Sequence, residues 1–265
     1  MNEQEILKQR KLEIDNPILA EKINKYEMPQ NCLCTFCGKE FHRYKVHGYE
    51  SELAYHHNLT CMGYRRAICP YCGSKDKERW LWYVLDNYTS ISTMDGRIMH
   101  FAPEGTIKAR IRKNVECEYY SGDLQPGVAD LVVDMTDMQF EDSFFDLIIA
   151  SMVMEHIPQE SKALQELYRT CKNGGKIVLT VPQCTDMETT IEDLNIQDSE
   201  TRKRLYGQED HVRLYGLDYP ERFRKMAFQN CDIQFIRPVD LFEEEQIVSM
   251  GIQRDYGVFV CTVNK

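Results

Sequence analysis

Two acidic residues follow apolar runs at positions where a carboxylate could bind a nucleotide-like cofactor. Asp123 comes after the predicted strand 116–120, and Asp134 comes after the predicted strand 129–133. In an open α/β sheet, ligands bind outside the carboxyl ends of the strands, beside the topological switch point. A carboxylate after the second strand can accept from both hydroxyls of a ribose, and one after the third can accept from an adenine amine. Asp also caps helices and forms turns, and this alternative stays open.

Apolar runs and turn residues predict the sheet that would position these acids. Strands are predicted at 97–101, 116–120, 129–133, 145–150, 176–181, 231–236 and 256–263. Helices are predicted at 74–88, 106–113, 159–172 and 218–228. The alternation of the two kinds of element is typical of an α/β fold.

Four cysteines form two pairs with the spacing of a metal site. In Cys34-Thr-Phe-Cys-Gly38 and Cys69-Pro-Tyr-Cys-Gly73, one turn brings two thiolates together and glycine supplies the open backbone that the turn requires. Two such turns complete a tetrahedral site, which predicts a structural Zn²⁺ bound by Cys34, Cys37, Cys69 and Cys72. A redox dithiol would need one such motif after a strand, rather than two that flank a polar segment.

Other residues near these pairs compete for the metal. They are Cys32, Cys61 and the histidines His42, His47, His56 and His57. None has the geometry of a Cys-x-x-Cys turn, and exposure in a polar insertion is the favoured interpretation of the histidines. A second interpretation makes the insertion 46–66 a cover over the active site, with tyrosines that contact a ligand: Tyr49, Tyr55 and Tyr64.

Composition and charge restrict the class of protein. The chain has 265 residues, 43% of them hydrophobic, which is enough for one α/β domain and a small appendage. Its formal net charge of −10 opposes a general affinity for nucleic acid, although residues 31–80 hold eight Lys or Arg against five Asp or Glu. Because no apolar run approaches the roughly 20 residues of a membrane span and the N-terminus lacks signal-peptide features, we expect a cytoplasmic protein.

The long polar segment 183–216 is predicted to contact a substrate. It loses apolar periodicity and is too long for an ordinary connection, and such loops at the ligand edge are commonly lids. We expect His211 in this segment to be the proton acceptor or a substrate anchor, because histidine transfers protons near neutral pH. His156, directly after the fourth strand, is the rival, and a histidine that only caps a loop is the alternative for either.

Several runs resemble the motifs of a known enzyme family. Residues 133–158 resemble the middle motifs of class I S-adenosylmethionine-dependent methyltransferases, and the run Leu167-Tyr-Arg-Thr-Cys-Lys-Asn-Gly-Gly-Lys176 resembles the helix and glycine turn that follow them. More narrowly, His100-Phe-Ala-Pro-Glu104 and Gly207-Gln-Glu-Asp-His-Val-Arg-Leu-Tyr-Gly216 resemble a bacterial subgroup with an N-terminal four-cysteine zinc ribbon. The likeness covers roughly residues 74–265. It implies a Rossmann-like, seven-stranded methyltransferase sheet whose last strand enters antiparallel.

The resemblance also implies site residues. For S-adenosylmethionine they are His100, Ala102, Glu104, Gly105, Asp123, Asp134, Met135 and Ser151. For the substrate they are Gln208, Asp210, Arg213 and Tyr215. One departure concerns the first motif, which usually has an acid at the strand end and several glycines, whereas this chain has His100 and the single Gly105. We expect Glu104 to replace the missing acid and to face the cofactor's amino group.

The predicted organisation has three parts: an N-terminal helical segment at 1–30, a zinc ribbon at 31–73 and a methyltransferase domain at 74–265. The favoured function is methyl transfer to a small polar acceptor, such as a sugar or a biosynthetic metabolite, with neither nucleic acid nor membrane as partner. An RNA methyltransferase whose ribbon grips RNA is one alternative, which the acidic charge disfavours. A non-catalytic scaffold with a degenerate cofactor loop is another, which the presence of both Asp123 and Asp134 disfavours.

Overall fold

The computed structural model describes residues 31–114 and 116–265. The predicted helical segment 1–30 lies outside the described residues. Within the described part of the chain, no helix combines the length and the apolar content that crossing a membrane requires.

Two small antiparallel hairpins form the first described part of the chain. Their strands are β1 (Cys32–Leu33), β2 (Glu40–Phe41), β3 (Lys45–His47) and β4 (Arg65–Ile68). Strand β1 pairs with β2 and β3 pairs with β4, while helix α1 (Glu52–His56) lies in the connection between β3 and β4. The predicted insertion 46–66 therefore connects the two strands of the second hairpin.

A seven-stranded mixed sheet forms the body, which confirms the predicted fold class. The remaining strands are β5 (Arg97–Phe101), β6 (Glu118–Asp123), β7 (Leu131–Val132), β8 (Phe145–Ser151), β9 (Cys171–Thr180), β10 (Ile191–Glu192), β11 (Arg213–Leu214), β12 (Asp232–Ile236) and β13 (Val258–Thr262). The order in the sheet is β12-β13-β9-β8-β5-β6-β7, and β10 pairs with β11 separately. Strand β13 is antiparallel to both neighbours, as expected, and the other adjacent pairs are parallel.

Helices cover both faces of this sheet. They are α2 (Asp76–Thr89), α3 (Gly105–Asn114), α4 (Glu160–Thr170), α5 (Ser199–Tyr206), α6 (Tyr219–Ala227) and α7 (Glu244–Met250). One core contains Ile148 of β8 and packs on α4 and α6, whereas the other contains Ile149 and packs on α2, α3 and α7. Successive side chains of a strand point to opposite faces, so a strand buried on both sides reads as a continuous apolar run.

Two of the differences from the sequence prediction concern β9 and the polar segment 183–216. Strand β9 begins at Cys171 and includes the Asn-Gly-Gly run that was expected to stop a helix, because β9 bulges there against β8. Gly174 has φ +76°, and a Cβ on Gly175 would lie 2.8 Å from the sulfur of Cys171. The polar segment 183–216 contains helix α5, where Asp198 accepts from the N–H of Thr201 at the start. The sequence contains the residues that cap this helix, but it lacks the stripe of apolar side chains from which a helix is predicted.

Arg79 connects the hairpins to the body from a buried position. It is 1% exposed, and its Nη1 donates to the carbonyl of Ser74 at 2.6 Å. Its Nε and Nη2 donate to the carbonyls of Met250 and Gly251, at the end of α7. The guanidinium carbon lies 4.2 Å from the ring centre of Tyr44, whose hydroxyl also donates to Met250. One side chain thus joins α2, α7 and the second hairpin.

We predict that Arg79→Met destabilises the protein by about 2–4 kcal/mol, because buried carbonyls would lose their donors. The free energy of unfolding in urea, followed by circular dichroism, measures this effect. Arg254→Met is the matched control, since Arg254 is half exposed and pairs with surface acids, so its loss should cost about 1 kcal/mol or less. Equal destabilisation by the two variants would contradict the connecting role of Arg79.

Candidate active site

Four cysteine sulfurs converge between the two hairpins. The sulfurs of Cys34, Cys37, Cys69 and Cys72 all lie within 4.8 Å of one another. Those of Cys34 and Cys72 are 3.7 Å apart, and those of Cys37 and Cys69 are 3.9 Å apart. Tetrahedral Zn²⁺ at about 2.3 Å from each sulfur would space them about 3.8 Å apart, so the donor set fits this ion.

The glycines and the other thiols agree with this arrangement. Gly38 and Gly73 have φ of +71° and +75°, the left-handed backbone that such turns require. Cys32 is directed to the carbonyl of His42 instead of to the four sulfurs. Cys61 lies elsewhere, on the wall of a cavity. The four-thiolate assignment itself remains a prediction.

We predict one Zn²⁺ per chain in protein purified without chelators. Cys37→Ser should lose most of this zinc, because serine does not replace a thiolate ligand. Cys32→Ala should retain it, which makes this variant the control from the same hairpin. Elemental analysis together with colorimetric zinc release measures both. Retention of zinc in Cys37→Ser would show that the ion binds to other groups.

Glu104 lies in a hydrogen-bonded group at the switch point of the sheet, where β5 is flanked by β6 and β8. Its carboxylate accepts from His100 Nε2 at 3.1 Å and from Ser151 Oγ at 2.6 Å. The ammonium group of Lys77 lies 3.7 Å from Oε1, the same oxygen to which Ser151 donates. Burial alone would raise the pKa of Glu104, but the bond from His100, with Lys77 and Ser151, lowers it to about 2.

His100 itself has a supporting position. It is fully buried, and its Nδ1 lies 3.0 Å from the hydroxyl of Tyr119. Because both ring nitrogens have partners, His100 orients Glu104 and presents no free polar atom to a cofactor. We therefore expect the predicted cofactor contact at Glu104 rather than at His100.

The loops after β5 and β8 contain left-handed backbone at residues that carry a side chain. Ala102 has φ +42°, and Met152, after the neighbouring strand β8, has φ +57°. Left-handed backbone is costly for residues with a side chain, and such strain clusters at ligand sites. Gly105 then begins α3.

Asp123 and Asp134 lie at the predicted strand ends with acceptor capacity to spare. Asp123 Oδ1 accepts from the N–H of Gln125, and Asp134 Oδ1 accepts from the N–H and hydroxyl of Thr136. In the described part of the chain, the second oxygen of each carboxylate has no hydrogen bond. Met135, by contrast, directs its side chain into the core.

A cavity of about 190 Å³ lies beside this edge of the sheet. Its wall combines the ends of β8 and β9, the start of α2, the insertion 46–66 and the segment before β11. The lining residues include His47, Tyr49, Met62, Lys77, Glu155, His156, Gln208 and His211. The insertion thus forms part of the cavity wall. Of its tyrosines, Tyr49 lines the cavity and accepts from Gln208 Nε2 at 3.1 Å, whereas Tyr64 packs against Val46.

Glu155, His156 and His211 form one cluster in this cavity, which we call the Glu–His–His cluster. The two imidazole rings meet edge to face, with centres 4.7 Å apart. His156 Nδ1 lies 3.1 Å from Asp210 Oδ2, and His211 Nδ1 lies 3.0 Å from the carbonyl of Tyr206. Burial raises the pKa of Glu155 to about 8, and burial together with His156 lowers that of His211 to about 4.

The residues predicted to bind the substrate occupy three kinds of position. Gln208 lies on the cavity wall, whereas Asp210 is exposed and orients His156. Arg213 and Tyr215 are fully buried and do not line the cavity. Arg213 donates to the carbonyls that follow β8, and Tyr215 donates to the carboxylate of Glu160. Their geometry supports the walls of the site instead of a substrate contact.

Sequence reasoning missed Glu155 and Lys77 as site residues. Glu155 directly precedes His156 after an apolar strand, a pattern that also fits a packing or loop-orienting role. Lys77 is one of several charged residues in the first turn of α2. Their burial and their shared cavity are tertiary properties, so the sequence carried no signal that separates them from ordinary charged residues.

Comparison with known proteins agrees with the sheet order. A family model described as a methyltransferase domain matches residues 103–179. The sheet has the methyltransferase fold. Over 50 residues the chain is 34% identical to phosphoethanolamine N-methyltransferase 2 of Caenorhabditis elegans, a match that covers 19% of this chain and 11% of that protein.

The solved structures that match the chain have low sequence identity to it. Phosphoethanolamine N-methyltransferase 2 of Haemonchus contortus, in complex with S-adenosyl-L-methionine, has a TM-score of 0.49 and 15% identity. The alignment covers 69% of this chain and 52% of that one, so the chain spans about half of its length. The CurJ carbon methyltransferase has a TM-score of 0.46 and 14% identity, with 71% and 53% covered. Because these TM-scores are below 0.5, the assignment of the methyltransferase fold depends on the order of the strands and on the family model.

Proposed function

We propose that the protein transfers a methyl group from S-adenosylmethionine to a small polar acceptor bound in the cavity beside the switch point. The observation that carries this proposal is the position of Lys77. It lines the cavity and also pairs with Glu104, so the acceptor cavity adjoins the loop where a class I cofactor would bind.

The residues at the strand ends fit the cofactor. The unpaired oxygens of Asp123 and Asp134 suit a ribose and an adenine amine, respectively. The side chain of Leu124 is 69% exposed next to Asp123 and offers an apolar surface to a base. Glu104 already holds one ammonium group, that of Lys77, which is the same chemistry that the amino group of the cofactor presents.

The transfer itself makes few chemical demands on the protein. When bound, the cofactor supplies a methyl group on a positively charged sulfur, which is a good leaving group. The protein must align the acceptor with that methyl group and provide for the acceptor's proton. Bond formation by the acceptor's lone pair and departure of the sulfur would occur together, on a cofactor held by Glu104, Asp123 and Asp134. His156 and His211 line the cavity, and burial lowers the pKa of both, which favours the neutral form that can accept a proton.

The dimensions and lining of the cavity favour a small molecule over a macromolecule. A volume of about 190 Å³ lies below the roughly 300–1,000 Å³ of typical ligand pockets. Hydroxyl, amide, imidazole, ammonium and carboxyl groups all reach its wall, which suits an acceptor with several polar groups. In this proposal the four-cysteine centre is structural, because a closed thiolate shell leaves no open position on the metal.

We predict that Asp123→Ala and Asp134→Ala each weaken cofactor binding by about tenfold to a hundredfold, equivalent to about 1.5–3 kcal/mol. Calorimetry with S-adenosylmethionine and S-adenosylhomocysteine measures the affinities. Asp137→Ala is the control, since Asp137 is an exposed acid three residues after Asp134. Unchanged affinity in a folded Asp123→Ala protein would refute the ribose contact, and the same outcome in Asp134→Ala would refute the adenine contact.

We also predict that His211→Ala and His156→Ala lower methyl transfer at least about tenfold while cofactor affinity stays within twofold. The assay is release of S-adenosylhomocysteine with a panel of sugars, amino alcohols and hydroxy acids. His57→Ala, a partly exposed histidine of the insertion, serves as control and should keep full activity. A rise in KM at constant kcat would assign an anchoring role, and full turnover in both variants would remove these residues from the site.

A further inference from the structure

We infer that the Glu–His–His cluster is a binding site for a divalent transition-metal ion, distinct from the four-cysteine centre. One possible ligand atom from each of Glu155, His156 and His211 lies within 4.8 Å of the others. Two imidazoles and one carboxylate form a donor set that binds Zn²⁺ or Fe²⁺ and leaves coordination positions open. A role of the ion in binding the acceptor rests on the proposed function, whereas ion binding itself does not.

The hydrogen bonds of both histidines orient them as ligands. The carbonyl of Tyr206 can only accept, so His211 Nδ1 carries the proton and its Nε2 has a free lone pair. The carboxylate of Asp210 sets the same tautomer in His156. Metal-binding histidines almost always donate their other N–H to a carboxylate or a backbone carbonyl, and both kinds of partner are in place here.

Glu155 provides an independent observation. It is 1% exposed, and its Oε2 has no hydrogen-bond partner in the described part of the chain. Its Oε1 lies 4.0 Å from His156 Nε2, which is too far for a hydrogen bond. A buried oxygen without a partner destabilises the folded protein, and a cation at the cluster would supply the missing interaction.

The surroundings admit an ion. All three side chains border the cavity, so an open coordination position would face the acceptor. Zn²⁺ at about 2.1 Å from its ligands spaces them about 3.4 Å apart, which requires the side chains to move inward by about an ångström. Of the cations on the cavity wall, Arg65 and Lys77 are paired with Asp76 and Glu104, so their charges are compensated, and Lys75 is a further cation there.

An ion at this position would change the acceptor side of the reaction. It would bind the acceptor's hydroxyl or carboxylate and favour loss of a hydroxyl proton. Because both Nε2 atoms would then be occupied, the proton would pass to water. In this form the imidazoles hold the ion and do not act as bases themselves.

The test is a titration of the zinc-loaded, full-length protein with Co²⁺, followed by visible absorption and by elemental analysis. We expect one Co²⁺ per chain in addition to the ribbon zinc, with the spectrum of nitrogen and oxygen ligands and without a thiolate charge-transfer band. Glu155→Gln and His211→Ala should lose this Co²⁺ and keep the ribbon zinc, which also shows that they fold. Asp210→Asn should weaken Co²⁺ binding by about tenfold to a hundredfold, and His56→Ala, which removes an exposed histidine outside the cluster, should leave it unchanged.

Two outcomes would overturn the site: no second ion in the wild-type protein, or Co²⁺ binding that survives both ligand variants. Failure of the proposed function is separate, because it would appear as absent cofactor binding in calorimetry while the cluster still binds Co²⁺. Conversely, methyl transfer that depends on His211 without any second ion would retain the proposed function and reject the metal.

Discussion

The candidate site depends on the buried guanidinium of Arg213. A buried charge is tolerated only when its donors are paired, and Arg213 pairs them with the carbonyls of Met154, Ile157 and Pro158 and with Glu192. These carbonyls belong to the turn after β8 that carries Glu155 and His156. The N–H of Val212 next to it donates to the carbonyl of Glu155 at 2.9 Å. The segment that contributes His211 therefore also fixes the other two members of the cluster.

The hairpins contribute to the same site through the insertion 46–66. Gly48 and Gly63 lie at its two ends, and a Cβ on Gly48 would come within 2.1 Å of the carbonyl oxygen of Gly63. Between these two glycines, the N–H of Thr60 donates to the carbonyl of Gln183, which follows β9. The close contact of the two glycines thus brings the ends of the insertion together, and the bond from Thr60 connects the insertion to the chain just after β9. A metal that holds the hairpins together would stabilise a wall of the proposed acceptor cavity without itself taking part in the reaction.

The sequence predicted the sheet better than the cavity, and the reason is physical. Continuous apolar runs are a local signal, so the seven strands and the acids at their ends, Asp123 and Asp134, could be recognised. The roles of Arg213 and Tyr215 could not, because a charged or phenolic side chain reads the same whether it faces a ligand or fills the core. The sequence did not predict helix α5, because its residues are largely polar and only its capping residues indicate a helix. Glu155 became notable only through its burial.

The loop after β5 carries its carboxylate on a residue of the loop, whereas the resemblance to class I methyltransferases predicts an acid at the strand end and several glycines. Glu104 provides this carboxylate, and His100, at the strand end, orients it. A buried carboxylate needs a cation nearby, and the ammonium group of Lys77 supplies one at 3.7 Å. Lys77 also lines the cavity that borders the Glu–His–His cluster, so one lysine connects this loop to the cavity.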